Sequence, residues 1–341
     1  MNTPLHLNKF LASGVGSLPF ANPQEACDLI FKHLGDALPF WPQLPKRNFK
    51  ENMYAQFSQG LPGVVIDEDR QGIYIDTSRN DYTGNLEAAY EHYLSEDLDY
   101  FSISEDYACG LYEFVSRQSA VSSQQYIKGH TIGPISFGLT VTDQNKQASV
   151  YNQEFRDCMV KVLAVKARWQ IRKLRSAAGS ARIIIFIDEP YLVSIGSSFF
   201  NIQAGDVIAM LNEVIEGIHQ EAAYAGIHCC GNTDWSIVLK TGIDILNYDS
   251  YNYLDSIFLY RKELDGFLKR GGVLAWGIIP NSAEGELPDV QGLLERFDKF
   301  RPYLKTPGLI TPSCGLSGVS PESSQRILSL TRQTAEILSS Q

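Results

Sequence analysis

Ile183-Ile184-Ile185-Phe186-Ile187-Asp188-Glu189-Pro190 is an apolar run, mostly β-branched, that stops at two carboxylates and a proline. A run of this kind without polar alternation reads as a strand covered on both faces, as strands of parallel sheets are. Helical periodicity fills 154–178 on one side of it and 206–225 on the other, and another short strand pattern follows at 226–230. Strand, helix and strand in that order make a βαβ unit, because parallel neighbours need a crossover.

The alternation continues in both directions. Strand patterns at 11–16, 100–104, 126–132, 183–188, 226–230, 243–248, 273–278 and 308–311 make eight. Further helices are expected at 254–270, 290–303 and 321–339. Eight strands alternating with helices imply an α/β fold of the (β/α)8 TIM-barrel type, as one domain over 1–341. The alternative is an open doubly wound sheet, whose dinucleotide fingerprint is G-x-G-x-x-G after the first strand. Here Gly14-Val15-Gly16-Ser17-Leu18-Pro19 lacks the third glycine. More than 80 residues separate the first two strand patterns. A barrel needs about 250 residues, so a long insertion fits, and it is placed at 36–98. The insertion holds the Trp/Pro-rich Phe40-Trp41-Pro42-Gln43-Leu44-Pro45, and two runs, 63–66 and 72–75, that read as a hairpin around polar 67–71.

Composition narrows the classes. Hydrophobic residues make up 44% and charged residues 20%, which excludes disordered and fibrous chains. A net charge of −10 argues against nucleic acid and anionic membrane surfaces as partners. Basic residues at 161–175 have the spacing of a solvated helix face. No apolar run approaches the roughly 20 residues of a membrane span. Met1 to Phe10 carries no secretory pattern, so a cytoplasmic location with six reduced cysteines is expected.

In a barrel, chemistry gathers at the C-terminal ends of strands. Ile227-His228-Cys229-Cys230-Gly231 puts His228 and Cys230 on one face of a strand, and turns Cys229 to the other. An imidazole and a thiolate so placed suit zinc; a buried histidine beside a small apolar thiol is the plainer alternative. Cys314, after the eighth strand, would face the same mouth, and Asp249 ends the sixth. Asp188 and Glu189 end the fourth strand; either binds a substrate ammonium or simply complements a helix N-terminus. Glu105 follows the second strand pattern in the same way, with a surface role equally open. His130, in Lys128-Gly129-His130-Thr131-Ile132-Gly133-Pro134, reads as a core histidine.

Together these motifs resemble the C-terminal catalytic barrel of cobalamin-independent methionine synthase, within the superfamily that includes uroporphyrinogen decarboxylase. The resemblance rests on Gly14 to Pro19, Gly129 to Ser136, Ile187-Asp188-Glu189-Pro190, His228-Cys229-Cys230 and Ser313-Cys314-Gly315-Leu316, in that order. It implies a zinc-dependent methyltransferase that carries a methyl group to a thiol, homocysteine, to give methionine. It implies His228, Cys230 and Cys314 as zinc ligands, with Asp249 at the position of the family's glutamate, one methylene shorter. Ser17 and Asp188 become homocysteine contacts, with Glu105 a further substrate-binding candidate and Asp188 and Glu189 the catalytic candidates.

The full-length synthases carry two barrels, and this length holds one, so methyltetrahydrofolate and a methylated corrinoid protein both stand as donors. Two other readings are a metal-free decarboxylase-like lyase using Asp188, Glu189 and Glu105, and a non-catalytic module that binds zinc or corrinoid. The arginine-rich motif of uroporphyrinogen decarboxylase is missing.

Overall fold

The computed structural model describes residues 4–118, 124–197, 201–281, 287–298 and 306–340. Ten strands lie among them: β1 (Leu11–Ala12), β2 (Val64–Asp67), β3 (Gly72–Ile75), β4 (Tyr126–Ile132), β5 (Thr142–Asp143), β6 (Arg182–Asp188), β7 (Tyr224–Cys229), β8 (Ile245–Tyr248), β9 (Val273–Ile279) and β10 (Leu309–Pro312). Seven form one parallel sheet in the order β1-β10-β9-β8-β7-β6-β4. Their apolar runs are buried on both faces, which is why strict alternation is absent from them. β6 pairs with β4 from Arg182↔Tyr126 to Asp188↔Ile132, and with β7 up to Asp188↔His228. Six strands expected from sequence appear with their ends moved by at most two residues; β1 is shorter than expected.

The strand expected at 100–104 does not form. Leu98–Phe101 is a 3-10 turn instead, with the Asp97 carboxylate accepting from Tyr100 N and Lys166 Nζ donating to Phe101 O at 3.0 Å. Phe101 and Ile103 are buried, so the apolar signal was real, but local caps took the backbone groups a ladder would have used.

The place between the outer strands β1 and β4 is taken by 38–43, from the stretch assigned to the insertion. Leu38 N donates to Ala12 O at 3.2 Å, and Lys128 N donates to Pro39 O at 2.9 Å. Gln43 N donates to Gly16 O, and Leu18 N returns a bond to Gln43 O. Isolated parallel bridges pair Phe40 with Lys128 and Ser17 with Gln43. The segment therefore bonds to both edges of the sheet, yet Pro39 and Pro42 have no N–H and interrupt a regular ladder.

The expected hairpin is present as antiparallel β2 and β3, paired from Val64↔Ile75 to Asp67↔Gly72, and β5 adds to β3 in parallel. Gln71 closes its turn at φ 50°. Phe57, Leu61, Ile75, Tyr82 and Leu86 from this region join the main hydrophobic core.

Helix Gln153–Ala178 starts at an Asn152 cap that accepts from Phe155 N at 3.1 Å. Its basic residues are not one solvated face. Lys166 is fully buried, and Arg168 and Arg172 bind Glu221. The helix expected at 206–225 is Ala204–Gln220; the chain turns at Ala222, φ 50°, and enters β7. The helix expected at 254–270 divides into a 3-10 turn, Ser256–Tyr260, and the helix Arg261–Lys269. Helix Val290–Asp298 covers the start of the one expected at 290–303, whose remainder lies outside the described residues. Helix Pro321–Ser340 closes against β1 and β10.

Two apolar clusters result from strand alternation. Tyr126, Ile184, Phe186, Tyr224, Ile245 and Leu309 fill the concave side of the sheet, and the larger cluster packs its convex side against the helices. Among the described residues no helix is long and apolar enough to cross a membrane.

Candidate metal centre

Ile184, Phe186 and Asp188 share the concave face of β6, so the carboxylate is the polar end of an apolar row. On β7 the same parity selects Tyr224, Gly226 and His228, and Cys230 follows where the strand ends. Cross-strand register places His228 between Asp188 and Asn247. β10 delivers Ser313 and Cys314 to the same end. His228, Cys230 and Cys314 converge so that one ligand atom from each lies within 4.8 Å of the others, and they could hold a metal ion. Cys229 turns to the convex side, where it is buried among apolar groups and its thiol is pushed up to about 12 by that burial.

The cluster opens on a cleft of about 290 Å³ whose lining includes Ser17, Gln43, Asp188, His228, Cys230 and Cys314. A larger groove of about 540 Å³ beside Tyr251 and Arg296 carries no comparable set of donors.

The cleft's electrostatics suit a cation. Cys230 is driven well down, first because the Cys314 thiol donates to it and then by the neighbouring His228 ring. The same bond, together with burial, drives Cys314 up. Burial pushes His228 down, but the Cys230 thiolate and Asp188 carry it above its ordinary value. His228 Nδ1 lies 2.5 Å from Asn247 Oδ1, while Nε2 is buried with no partner. Burial raises Asp188 to about 6, against the pull of His228 and Lys128, and its Oδ1 is buried without a partner. Lys128 is itself buried, lowered by that burial to about 8; its ammonium donates to Val15 O and lies 5.0 Å from the Phe186 ring.

Other candidate residues lie elsewhere. Asp249 is buried, but both its oxygens are engaged: Oδ1 accepts from Asn252 N at 2.9 Å and Oδ2 from Asn252 Nδ2 at 2.7 Å. It caps the short helix Ser250–Tyr253 and stands outside the three-residue cluster. Glu189 points away from Asp188, as alternation demands. It accepts from Ile135 N, Ser136 N and Ser136 Oγ at 2.9, 2.8 and 2.6 Å. Glu105 is exposed and does not line the cleft. Ser17 does line it, close against Gly315, where any side-chain carbon would collide with the Ser17 hydroxyl. His130 stacks on Trp41 with ring centres 3.9 Å apart, and burial holds it well below the usual range, as a neutral core histidine.

Two amides complete the site without any sequence signal. Asn247 is one. Gln43 is the other: its Nε2 donates to Gln56 Oε1 at 2.8 Å, and Gln56 Nε2 donates to Tyr107 O at 2.7 Å. A backbone carbonyl only accepts, so the relay has one direction, and the Gln43 side-chain oxygen takes no part in it. Nothing about a glutamine in a proline-rich stretch marks it as a site residue; only its neighbours in space do.

No protein-family model matches the chain, and no curated protein matches it. Solved structures do show similarity. One is a B12-independent methionine synthase from Shewanella sp. W3-18-1, in complex with selenomethionine, at 21% identity and a TM-score of 0.46. The match covers 66% of this chain and 66% of that one, so the chain spans just under two thirds of that protein's length. A provisionally named vitamin B12-independent methionine synthase from Listeria monocytogenes matches at 18% identity over 67% of this chain and 69% of its own, with a TM-score of 0.45. A GH20 catalytic module of the pneumococcal exo-β-D-N-acetylglucosaminidase StrH matches at 10% identity over 96% of this chain and 85% of its own, with a TM-score of 0.47.

Proposed function

We propose that the protein is a zinc-dependent methyltransferase whose acceptor is an amino-acid thiol, homocysteine, on a (β/α)8 barrel in which 38–43 stands as the second strand. The observation that carries this reading is the convergence of His228, Cys230 and Cys314 on a cleft that also holds an unpartnered carboxylate oxygen of Asp188. The donor set fits zinc: two sulfurs and one imidazole nitrogen, with the Nε2 lone pair buried and unused. Asp249 is left out of the set, because it stands outside the cluster that His228, Cys230 and Cys314 form.

Bound zinc supplies thiol activation, holding the acceptor sulfur as thiolate at neutral pH. Cys230 and Cys314 as thiolates offset the metal's charge, which favours sulfur nucleophilicity over hydrolysis. Asp188 Oδ1 and the Gln43 carbonyl oxygen receive the ammonium of the acceptor, and the Ser17 hydroxyl adds a further polar contact. Glu189 holds the Pro134–Thr140 segment rather than touching substrate. The acceptor thiolate would attack the methyl carbon, forming the S–C bond as the N5–C bond of methyltetrahydrofolate or the Co–C bond of a methylcorrinoid breaks; the donor keeps the bonding pair, and the folate nitrogen takes a proton from solvent.

Metal analysis of chelator-free protein and methyl transfer to homocysteine from each donor test the reading. About one zinc per chain with turnover from either donor is expected. Zinc content near zero, or bound zinc without transfer from either donor, contradicts it.

A further inference from the structure

We infer that Asn247 is a positioning residue that decides which nitrogen of His228 faces the cleft. The geometry stands by itself; its consequence for metal binding rests on the zinc reading above. Asn247 Nδ2 lies 2.9 Å from Ala275 O and 2.9 Å from Thr311 Oγ1. Ala275 O is a backbone carbonyl and can only accept, so the amide nitrogen must face it. That fixes the amide, and Oδ1 is then the atom 2.5 Å from His228 Nδ1. An amide oxygen also only accepts, so Nδ1 carries the hydrogen. In the neutral ring the lone pair is therefore on Nε2, the nitrogen that is buried with no partner.

The anchoring spans four neighbouring strands. His228 lies on β7, Asn247 on β8, Ala275 on β9 and Thr311 on β10, and all four residues are buried. The imidazole is thus oriented by the sheet rather than by a loop. A ligand arriving at Nε2 meets the right tautomer and a ring that need not rotate. Without the amide, Nδ1 has no acceptor, both tautomers become accessible, and ring rotation is released.

Two substitutions separate positioning from folding. Asn247→Leu removes the acceptor to His228 and both donors. Asn247→Asp keeps an acceptor to Nδ1 but turns an oxygen against Ala275 O. Both are expected to lower Tm. Only Asn247→Leu is expected to weaken zinc, by about 10- to 100-fold in competition with a chromogenic chelator. Histidine ¹⁵N spectra of metal-free protein at alkaline pH, with His228 assigned by loss of its signals in His228→Gln, are expected to show hydrogen on Nδ1 in the parent and a mixture in Asn247→Leu. Hydrogen on Nε2 in the parent overturns the inference, and so does equal zinc loss in the Leu and Asp variants. Should the parent bind no zinc, the proposed function fails while the nitrogen spectra still decide the tautomer.

Discussion

Asp188 and Glu189 are adjacent carboxylates with opposite fates. One faces the cleft with an oxygen unpartnered, and the other is spent on three donors behind the sheet. Strand parity makes this division readable from sequence, as it does for Cys229 against Cys230. Residue type and strand position are enough to single out His228, Cys230 and Cys314. Asn247 and Gln43 stay hidden because an amide's role depends on what surrounds it. Asp249 differs: its type and place suggest a ligand, and in the structure each of its oxygens accepts a hydrogen bond from Asn252. Asp249→Asn should accordingly keep zinc stoichiometry, while Cys314→Ser brings it near zero; equal losses in metal analysis would place Asp249 in the ligand set. Gln43→Leu removes an acceptor for a charged donor, an interaction worth about 1.5–3 kcal/mol. KM for homocysteine should rise about tenfold or more, with little change for a thiol that lacks the amine. A uniform effect on both thiols would refute the ammonium contact.

Among elements, the long apolar strands were the most legible, because burial on both faces leaves them no other reading. The two misplaced strands share a cause. At 100–104 Phe101 and Ile103 are buried, but Asp97 and Lys166 cap the backbone as a 3-10 turn. At 38–43 the prolines argue against a strand, yet the backbone groups that remain reach both sheet edges. Composition reports burial more reliably than it reports backbone pairing. The Lys166 cap has a measurable consequence. Burial lowers this lysine from 10.5 to about 7. Between those values the unfolded chain holds a proton that the folded chain has released, so stability rises with pH across that window. Urea midpoints should climb from about pH 7 to about pH 10 in the parent, and this component should vanish in Lys166→Met. An unchanged slope in the variant would assign the effect to another group.

For the whole molecule, Glu189 contributes a slope of opposite sign. Burial raises it from 4.5 to about 7, so the folded chain holds the extra proton, and stability falls as pH rises through that interval. Glu189→Gln should flatten the acid side of the profile while leaving the Lys166 component, which urea titration across pH resolves; loss of both components together would mean that the two groups are not independent. Metal acts on the same equilibrium. If the proposed site binds zinc, the metal at a hundredfold excess over its Kd would stabilise the fold by about 2.7 kcal/mol. A strong chelator should therefore lower Tm of the parent by several degrees and leave Cys314→Ser unmoved. An equal drop in both would point to a different metal site.

Residues 38–43 bond to β1 on one side and β4 on the other, so neither outer strand offers a free row of N–H and C=O groups to another chain. The prolines that spoil the segment as a strand also make it a poor template, because a position without N–H cannot recruit a partner. The same short stretch that carries Gln43 to the cleft thus occupies the two outer edges of the sheet. Substitutions that loosen Pro39 or Pro42 should be felt first as aggregation, before any loss at the metal centre.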